Sequence, residues 1–322
     1  MADEHDEHDE HDERDKQEQP DVQGEATLEV RPARPEDRDA VLAFCAHTWS
    51  NGDYIEYVWD DWIKEDNNGV LLVGLLDGQP VAINHMAMIS DDEAWLEGMR
   101  VDPAHRRKGF GRVLTSRALV AARERGASVA RLITSSDNVA SQGMMARFGF
   151  DRVAEMVRFR GPALAPSDDT DDAIEIATPT RPGLDDFERL WEWLVQSNLA
   201  PLTGGLEYFD WQARALTEPL LRGYLAAGQV RLIEEWGAIQ ALAIAVPTAP
   251  EWDRTPTLAV RYMDGLADAI GRLALSMRAE AAATAYARVE LWLPDLLILR
   301  DAMAGAGYEG DDEVMLVFAR EL

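Results

Sequence analysis

The sequence predicts an α/β (α+β) fold built from two similar units. Predicted strands and helices alternate along the 322 residues, as in domains whose helices pack on a sheet. Asp77-Gly78 between two apolar segments predicts a hairpin. Both halves open on a strand followed by Arg-Pro (Arg34-Pro35, Arg181-Pro182) and close on Gly-aromatic before a last strand (Gly149-Phe150, Gly307-Tyr308). This pattern indicates an internal duplication; the alternative is two unrelated α/β domains.

The first unit is expected over residues 26–160. Pro35 and the acidic Glu36 and Asp37 predict a helix start, and Gly126 predicts the end of a later helix. The predicted strands are Thr27–Arg31, Val70–Leu76, Val81–Ile89, Ala94–Val101, Ala130–Thr134 and Phe150–Arg160. The predicted helices are Glu36–Thr48, Asp53–Lys64, Gly109–Arg125 and Val139–Phe148.

Residues 161–172, which end in an Asp-rich stretch, are predicted to be a linker before the second unit at 173–322. The strands predicted in that unit are Ala173–Ala177, Val230–Glu235, Ala238–Val246, Thr257–Tyr262, Arg288–Leu293 and Glu313–Arg320. Its predicted helices are Leu184–Val195, Leu206–Thr217, Pro219–Ala226, Leu266–Thr284 and Leu296–Ala304.

The chain is strongly acidic, with a formal net charge of −28. This charge repels nucleic-acid phosphates and anionic lipid, which argues against both as partners. Only three of the 31 basic residues are lysines. An acidic, lysine-poor surface suits a halophilic source, although a bias towards arginine explains the lysine count equally well.

Features of the chain also suggest a compartment. Cys45 is the one cysteine, so no intramolecular disulfide can form, which fits a reducing cytoplasm. We see no secretory signal at the acidic N-terminus and no apolar run long enough to span a membrane.

Residues 1–25 hold twelve acidic residues against Arg14 and Lys16 and are expected to be a disordered tail. His5, His8 and His11 in this tail either solvate it or chelate a divalent metal, and we predict no metal site elsewhere.

A glycine-rich basic loop follows the strand that ends at Val101. It comprises Arg106, Arg107, Lys108, Gly109, Phe110, Gly111 and Arg112, and it opens a long predicted helix. Glycines let the backbone approach a ligand closely, and free amides at a helix start suit a phosphate. The loop also reverses the charge of an otherwise acidic chain. It therefore predicts an anion site, with an ordinary solvated turn as the alternative.

The loop resembles the phosphate loop of the GNAT superfamily of acyl-CoA N-acyltransferases. Arg106, Gly109 and Gly111 match its Arg/Gln-x-x-Gly-x-Gly/Ala pattern, and Asn138 followed by Gly149-Phe150 matches a later pattern. The resemblance covers residues 26–160. It implies two GNAT-like domains, each a mixed central sheet flanked by helices. The second has no counterpart of the loop, so we expect a degenerate copy that no longer binds CoA.

The resemblance also implies a function and a site. We expect acetyl-CoA as co-substrate, held by the loop and by Met99, Val101, Asn138 and Ser141, and direct attack by a small amine or amino acid on the thioester. The run Trp95–Val101 is similar to histidine N-acetyltransferase-like members of the superfamily. A backbone amide of that strand is expected to polarise the thioester carbonyl.

The sequence specifies the catalytic base and acid less well than the cofactor loop. Glu97 is the preferred base, with His85 as the alternative base, and an ordinary structural role remains open for each. The family often has a tyrosine as acid where this chain has Met145, so Tyr54, Tyr57 or water is expected to serve instead. Two other functions stay open: a non-catalytic acyl-CoA sensor, and an acetyltransferase acting on proteins or peptides.

Overall fold

A computed structural model describes residues 28–46, 48, 52–64, 68–164, 176–248 and 254–322. The strands of the first half are β1 (Glu29–Pro32), β2 (Gly69–Leu76), β3 (Gln79–Met88), β4 (Glu93–Val101), β5 (Val129–Ser135) and β6 (Asp151–Pro162). Its helices are α1 (Arg38–Cys45), α2 (Ile55–Trp62), α3 (Phe110–Glu124) and α4 (Val139–Arg147).

The second half has the same alternation of strands and helices. Its strands are β7 (Leu206–Phe209), β8 (Gln212–Ala215), β9 (Val230–Glu235), β10 (Ala238–Thr248), β11 (Thr257–Gly265), β12 (Arg288–Pro294), β13 (Glu309–Gly310) and β14 (Met315–Glu321). Its helices are α5 (Phe187–Val195), α6 (Ala200–Thr203), α7 (Glu218–Ala226), α8 (Ala267–Ala283) and α9 (Leu297–Gly305).

One predicted element is wrong. The helix expected at Leu206–Thr217 is the hairpin of β7 and β8, which turns at Asp210 and Trp211. Gly204 and Gly205, both with positive φ, end α6 before this segment, and Asp210 adopts φ +56° in the turn. Glu207 then pairs with Arg214 across the two strands. Local sequence favoured a helix, and cross-strand packing overrides that preference.

The strand expected at Ala173–Ala177 is only partly testable. Residues 173–175 lie outside the described residues, and 176–179 are in no strand. Thr180 makes a single bridge to Leu232 instead. The histidines of the acidic tail also lie outside the described residues.

The halves join in one mixed sheet by exchanging their last strands. The order is β1-β2-β3-β4-β5-β14-β6-β12-β11-β10-β9. Thus β14, from the second half, pairs with β5 of the first, and β6, from the first half, pairs with β12 of the second. The two exchanged strands also pair with each other at the centre. Each half therefore contributes its last strand to the other half, and backbone hydrogen bonds join the two.

Helices cover both faces of the sheet in each half. In the first half, α3 packs on one face with Leu72 and Leu96, and α1 and α2 pack on the other with Leu71 and Val73. Neighbouring residues of β2 therefore serve opposite layers, as the alternation of a strand requires. Among the described residues, no helix is long and apolar enough to cross a membrane.

Candidate functional site

A cleft of about 1500 Å³ opens where β4 and β5 separate. The two strands pair in parallel only over Glu93–Trp95 and Val129–Arg131, and both continue beyond that point. The remaining length of β4 has β3 on one side and the cleft on the other. Among the described residues, the cleft edge of β4 beyond Trp95 therefore has no strand partner.

A bulge at Gly98 shapes the β4 side of the cleft. The pairing of β4 with β3 shifts register between Ile83 and His85, and Gly98 opposite this shift has φ +65°. Bulges of this kind re-aim neighbouring groups and are common beside active sites. Met99, the next residue, lines the cleft.

The basic loop forms an open anion cradle at the start of α3. Gly109 has φ +81° and caps the helix without a side-chain bond. Within the described residues, the amides of Phe110, Gly111 and Arg112 have no backbone carbonyl partner. Free amides and the helix dipole together favour an anion at this point.

Charged side chains surround this cradle. Arg106, Arg107, Lys108 and Arg112 are exposed. Arg106 also donates from Nε to the carbonyl of Val101, at 3.3 Å, so that the loop is tied to the end of β4. The loop and Val101 do not line the cleft itself, and they lie at the end of its β4 wall. Arg112 lines a separate shallow groove that includes Phe148.

Asn138 and Ser141 lie on the opposite wall of the cleft. The Asn138 side chain caps α4 by accepting from the Ser141 amide at 3.1 Å, and its Nδ2 donates to Thr134 Oγ1 at 3.2 Å. This cap fixes the point at which β5 turns into α4. The sequence match at Asn138 therefore has a structural role as well as a place in the cleft.

Glu97 and His85, the two candidate bases, form one hydrogen-bonded pair. His85 Nδ1 lies 3.0 Å from Glu97 Oε1. Glu97 lines the cleft and its side chain is 17% exposed, whereas His85 is 3% exposed and does not line the cleft. The His85 ring stacks on Trp62 with centroids 4.2 Å apart. Of the two, only Glu97 is placed to meet a substrate.

Tyr54 and Tyr57 both line the cleft, and Tyr57 is 64% exposed. Burial raises the pKa of the Tyr54 phenol, and the nearby Glu97 carboxylate raises it further. Tyr54 therefore keeps its proton at neutral pH. Arg100 lies over the Tyr54 ring at 5.2 Å and donates from Nε and a terminal nitrogen to Asp53, at 2.7 and 3.2 Å. Tyr54 is thus held beside a neutralised ion pair.

Met145 and Cys45 also line the cleft. Met145 lines it and has no proton to donate, so the position of the family's tyrosine supplies no acid. Cys45 is almost fully buried, and burial raises the pKa of its thiol to about 12. A thiol that stays protonated is a poor nucleophile, which disfavours an acyl-enzyme route through Cys45.

The second half of the chain supplies part of the cleft wall, which the sequence did not predict. The turn from β7 to β8 contributes Phe209, Asp210, Trp211 and Gln212, and β14 contributes Met315. Arg158 of β6 lies beneath this turn, with its guanidinium 4.3 Å from the Trp211 ring centre. The aromatic-rich run at 208–211 is the sequence signal for this part of the wall, but it lies within the segment that the sequence predicts to be a helix.

In the second half, β11 and β12 separate in a similar way. These strands pair only from Thr257 to Val260, and β11 leads within two residues into α8 without a basic loop. Asp264, 1% exposed, accepts from Ser197 Oγ at 2.6 Å and from the Tyr262 hydroxyl at 2.8 Å. Polar groups that would face a ligand in an open cleft are here satisfied internally.

Comparison with known proteins agrees with this geometry. Residues 37–150 match the model of the acetyltransferase (GNAT) family. Histidine N-acetyltransferases from Oreochromis niloticus and Scomber australasicus are each 31% identical over 96 residues. That alignment covers 30% of this chain and 28% of each relative, so the chain spans under a third of their length.

Similarity of structure extends further along the chain. A GCN5-related N-acetyltransferase from Sphaerobacter thermophilus aligns with a TM-score of 0.59 and 15% identity, over 91% of this chain and 95% of that one. At this identity the likeness concerns the fold, and it includes the second half. Residues 37–150 are therefore similar to the acetyltransferase (GNAT) family, whose enzymes use acetyl-CoA as co-substrate, within a chain that shares the fold of a GCN5-related N-acetyltransferase.

Proposed function

We propose that this protein is an acetyl-CoA-dependent N-acetyltransferase that transfers the acetyl group directly to a small amine or amino acid. The observation that carries the proposal is the position of Glu97, a cleft-lining carboxylate on the same strand that leads into the anion cradle at Gly109. A base midway along a strand and a phosphate site in the loop that follows the strand match a reaction between an amine and a CoA thioester.

In the proposed complex, the free amides of Phe110, Gly111 and Arg112 hold the pyrophosphate, and Arg106, Arg107 and Lys108 neutralise it. The rest of the co-substrate extends between β4 and β5, past Met99, Asn138 and Ser141. A free backbone amide of β4 polarises the thioester carbonyl, a kind of contact worth about 2.7–4 kcal/mol where one donor has been removed from a protease.

The chemical step forms an N–C bond and breaks the C–S bond. Glu97 accepts the proton that the attacking amine loses, directly or through a water, because only a neutral amine is nucleophilic. Tyr54 supplies a proton to the departing thiolate. Alignment of the two substrates in the cleft contributes most, since such positioning is worth roughly 7–11 kcal/mol in favourable cases.

The second half is, on this proposal, a degenerate copy of the same fold over residues 173–322. The linker predicted at 161–172 is corrected at its start, because Gly161 and Pro162 belong to β6 and pair with β12. The lack of a basic loop in the second half and the internal hydrogen bonds of Asp264 support one co-substrate site per chain. Isothermal titration with CoA tests this directly. We expect one CoA bound per chain, and two per chain would contradict the degenerate copy.

The activity is tested by thiol release from acetyl-CoA across a panel of small amines and amino acids, with histidine included because of the relatives named above. We expect turnover on at least one small acceptor. Binding of CoA without turnover on any acceptor would favour an acyl-CoA sensor. Turnover on peptides alone would identify a protein or peptide acetyltransferase.

A further inference from the structure

The turn between β7 and β8 extends from the second half of the chain to the cleft in the first half. Gln212 Nε2 donates to Glu97 Oε1 at 3.3 Å, although the two residues are 115 positions apart. His85 Nδ1 contacts the same oxygen at 3.0 Å. Among the described residues, no donor reaches Glu97 Oε2. Two donors on one oxygen orient the carboxylate and leave the other oxygen for a proton.

The hairpin that carries Gln212 is fixed to the first half. The amide of Ala215 donates to both carboxylate oxygens of Glu93, at 3.2 Å each. Glu93 lies at the base of the cleft, where β4 still pairs with β5, and forms an ion pair with Arg131 of β5. Arg214 also donates to the carbonyl of Ile89 at 3.4 Å. The hairpin is thus held at the point where the two strands begin to separate.

The hairpin is equally fixed to the second half. Glu207 of β7 is fully buried, and it accepts from Arg214 Nε at 2.6 Å and from the Tyr224 hydroxyl at 2.5 Å. Trp292 Nε1 donates to the carbonyl of Asp210 at 3.2 Å. A turn anchored on both sides does not depend on a ligand for its position, so it can pre-organise a catalytic group.

We infer that the second half of the chain completes the active site, and that Gln212 is a positioning residue which holds Glu97 with one oxygen turned to the acceptor amine. The hairpin thereby gives the copy that lacks a basic loop a role in the reaction. The inference rests on the proposed function, because it assigns Gln212 an effect through the base of that reaction.

A double-mutant cycle in the full chain tests the inference. Gln212→Leu removes the donor, and Gln212→Glu keeps the shape of the side chain while replacing the donor with a second carboxylate. We expect kcat to fall roughly tenfold or more in Gln212→Leu, as for loss of one hydrogen bond to a charged group, and further in Gln212→Glu. The KM for acetyl-CoA should stay at its wild-type value in both.

The diagnostic result is non-additivity. In a Glu97→Gln background we expect neither Gln212 substitution to reduce kcat further, because residues that act as one unit do not contribute independently. A full additional loss in that background would show that Gln212 acts through packing and would overturn the inference. Wild-type kcat in both single variants would overturn it too.

A matched control lies on the surface of α5, where Gln196 Nε2 donates to Glu192 Oε1, also at 3.3 Å. Gln196→Leu should leave kcat unchanged. Failure of the two ideas is distinguishable: no turnover by the wild-type chain contradicts the proposed function, whereas wild-type turnover with additive Gln212 effects contradicts only the role of Gln212.

Discussion

His85 and Glu97 lie opposite each other on β3 and β4, and the imidazole Nδ1 contacts the carboxylate Oε1 at 3.0 Å. The His85 ring is fixed between this contact and the face of Trp62. With Nδ1 as the donor, Nε2 carries the lone pair, and this atom is buried without a partner in the described part of the chain. On the proposed function, His85 therefore orients Glu97, and Glu97 takes up the proton of the acceptor amine.

Glu97→Gln should lower kcat by about 10²–10⁴-fold, the usual contribution of a general base, with the affinity for CoA near normal. The amide keeps the shape of the side chain and cannot take up a proton at neutral pH. Steady-state kinetics and CoA titration measure the two quantities. Glu56→Gln is the control, since Glu56 also lines the cleft but is exposed. Wild-type turnover in Glu97→Gln would exclude Glu97 as the base.

His85→Phe separates the two candidate bases. Phenylalanine retains the stack on Trp62 and removes the ring nitrogens. If His85 only orients Glu97, the substitution should lower kcat roughly tenfold, which corresponds to the loss of one hydrogen bond to a charged group. We expect this loss to be smaller than that of Glu97→Gln. The reverse order of losses, measured on the same acceptor, would make His85 the base.

Tyr54→Phe should lower kcat without changing the shape of the pH profile between about pH 6 and 9. The raised pKa of the phenol keeps Tyr54 protonated throughout that range, whose upper end lies below the ordinary tyrosine pKa of about 10. Its deprotonation therefore cannot create an alkaline limb there. Tyr57→Phe, at an exposed position, should match the wild type. Wild-type kcat in Tyr54→Phe would contradict Tyr54 as the proton donor, whereas an alkaline limb in this range that disappears in Tyr54→Phe would contradict its raised pKa.

Local pattern predicted most elements of the first half, because apolar runs mark strands such as β2 and β3 and Asn138 caps α4. It could not predict the exchange of β6 and β14, since nothing local specifies which neighbour each strand joins. The contribution of Gln212 was missed for a related reason. A contact across 115 residues depends on tertiary packing, and the segment that carries Gln212 had been assigned to a helix.

The basic loop was predicted more fully, since glycine and charge at a helix start act through local backbone geometry. Gly109→Glu should abolish the thermal stabilisation that CoA confers, because a carboxylate there would repel the pyrophosphate. Gly78→Glu is a matched control: Gly109 and Gly78 have φ of +81° and +76°, and an added Cβ meets nothing within 4 Å at either. Differential scanning fluorimetry with and without CoA measures the effect. Unchanged stabilisation in Gly109→Glu would contradict the assigned phosphate site.

Gly98→Ala should destabilise the protein by about 1–3 kcal/mol, the usual cost of a strained backbone conformation, and more if Trp62 cannot move. Gly98 has φ +65°, and a Cβ there would lie 2.5 Å from the Trp62 ring. That ring is the surface on which His85 stacks, so kcat should fall together with stability. Gly223→Ala is the control, because Gly223 lies within α7 and an added Cβ meets nothing within 4 Å. It should be neutral or stabilise the helix by roughly 0.5–1 kcal/mol. Chemical denaturation compares the two variants, and equal stability of Gly98→Ala and wild type would show that the bulge does not require glycine.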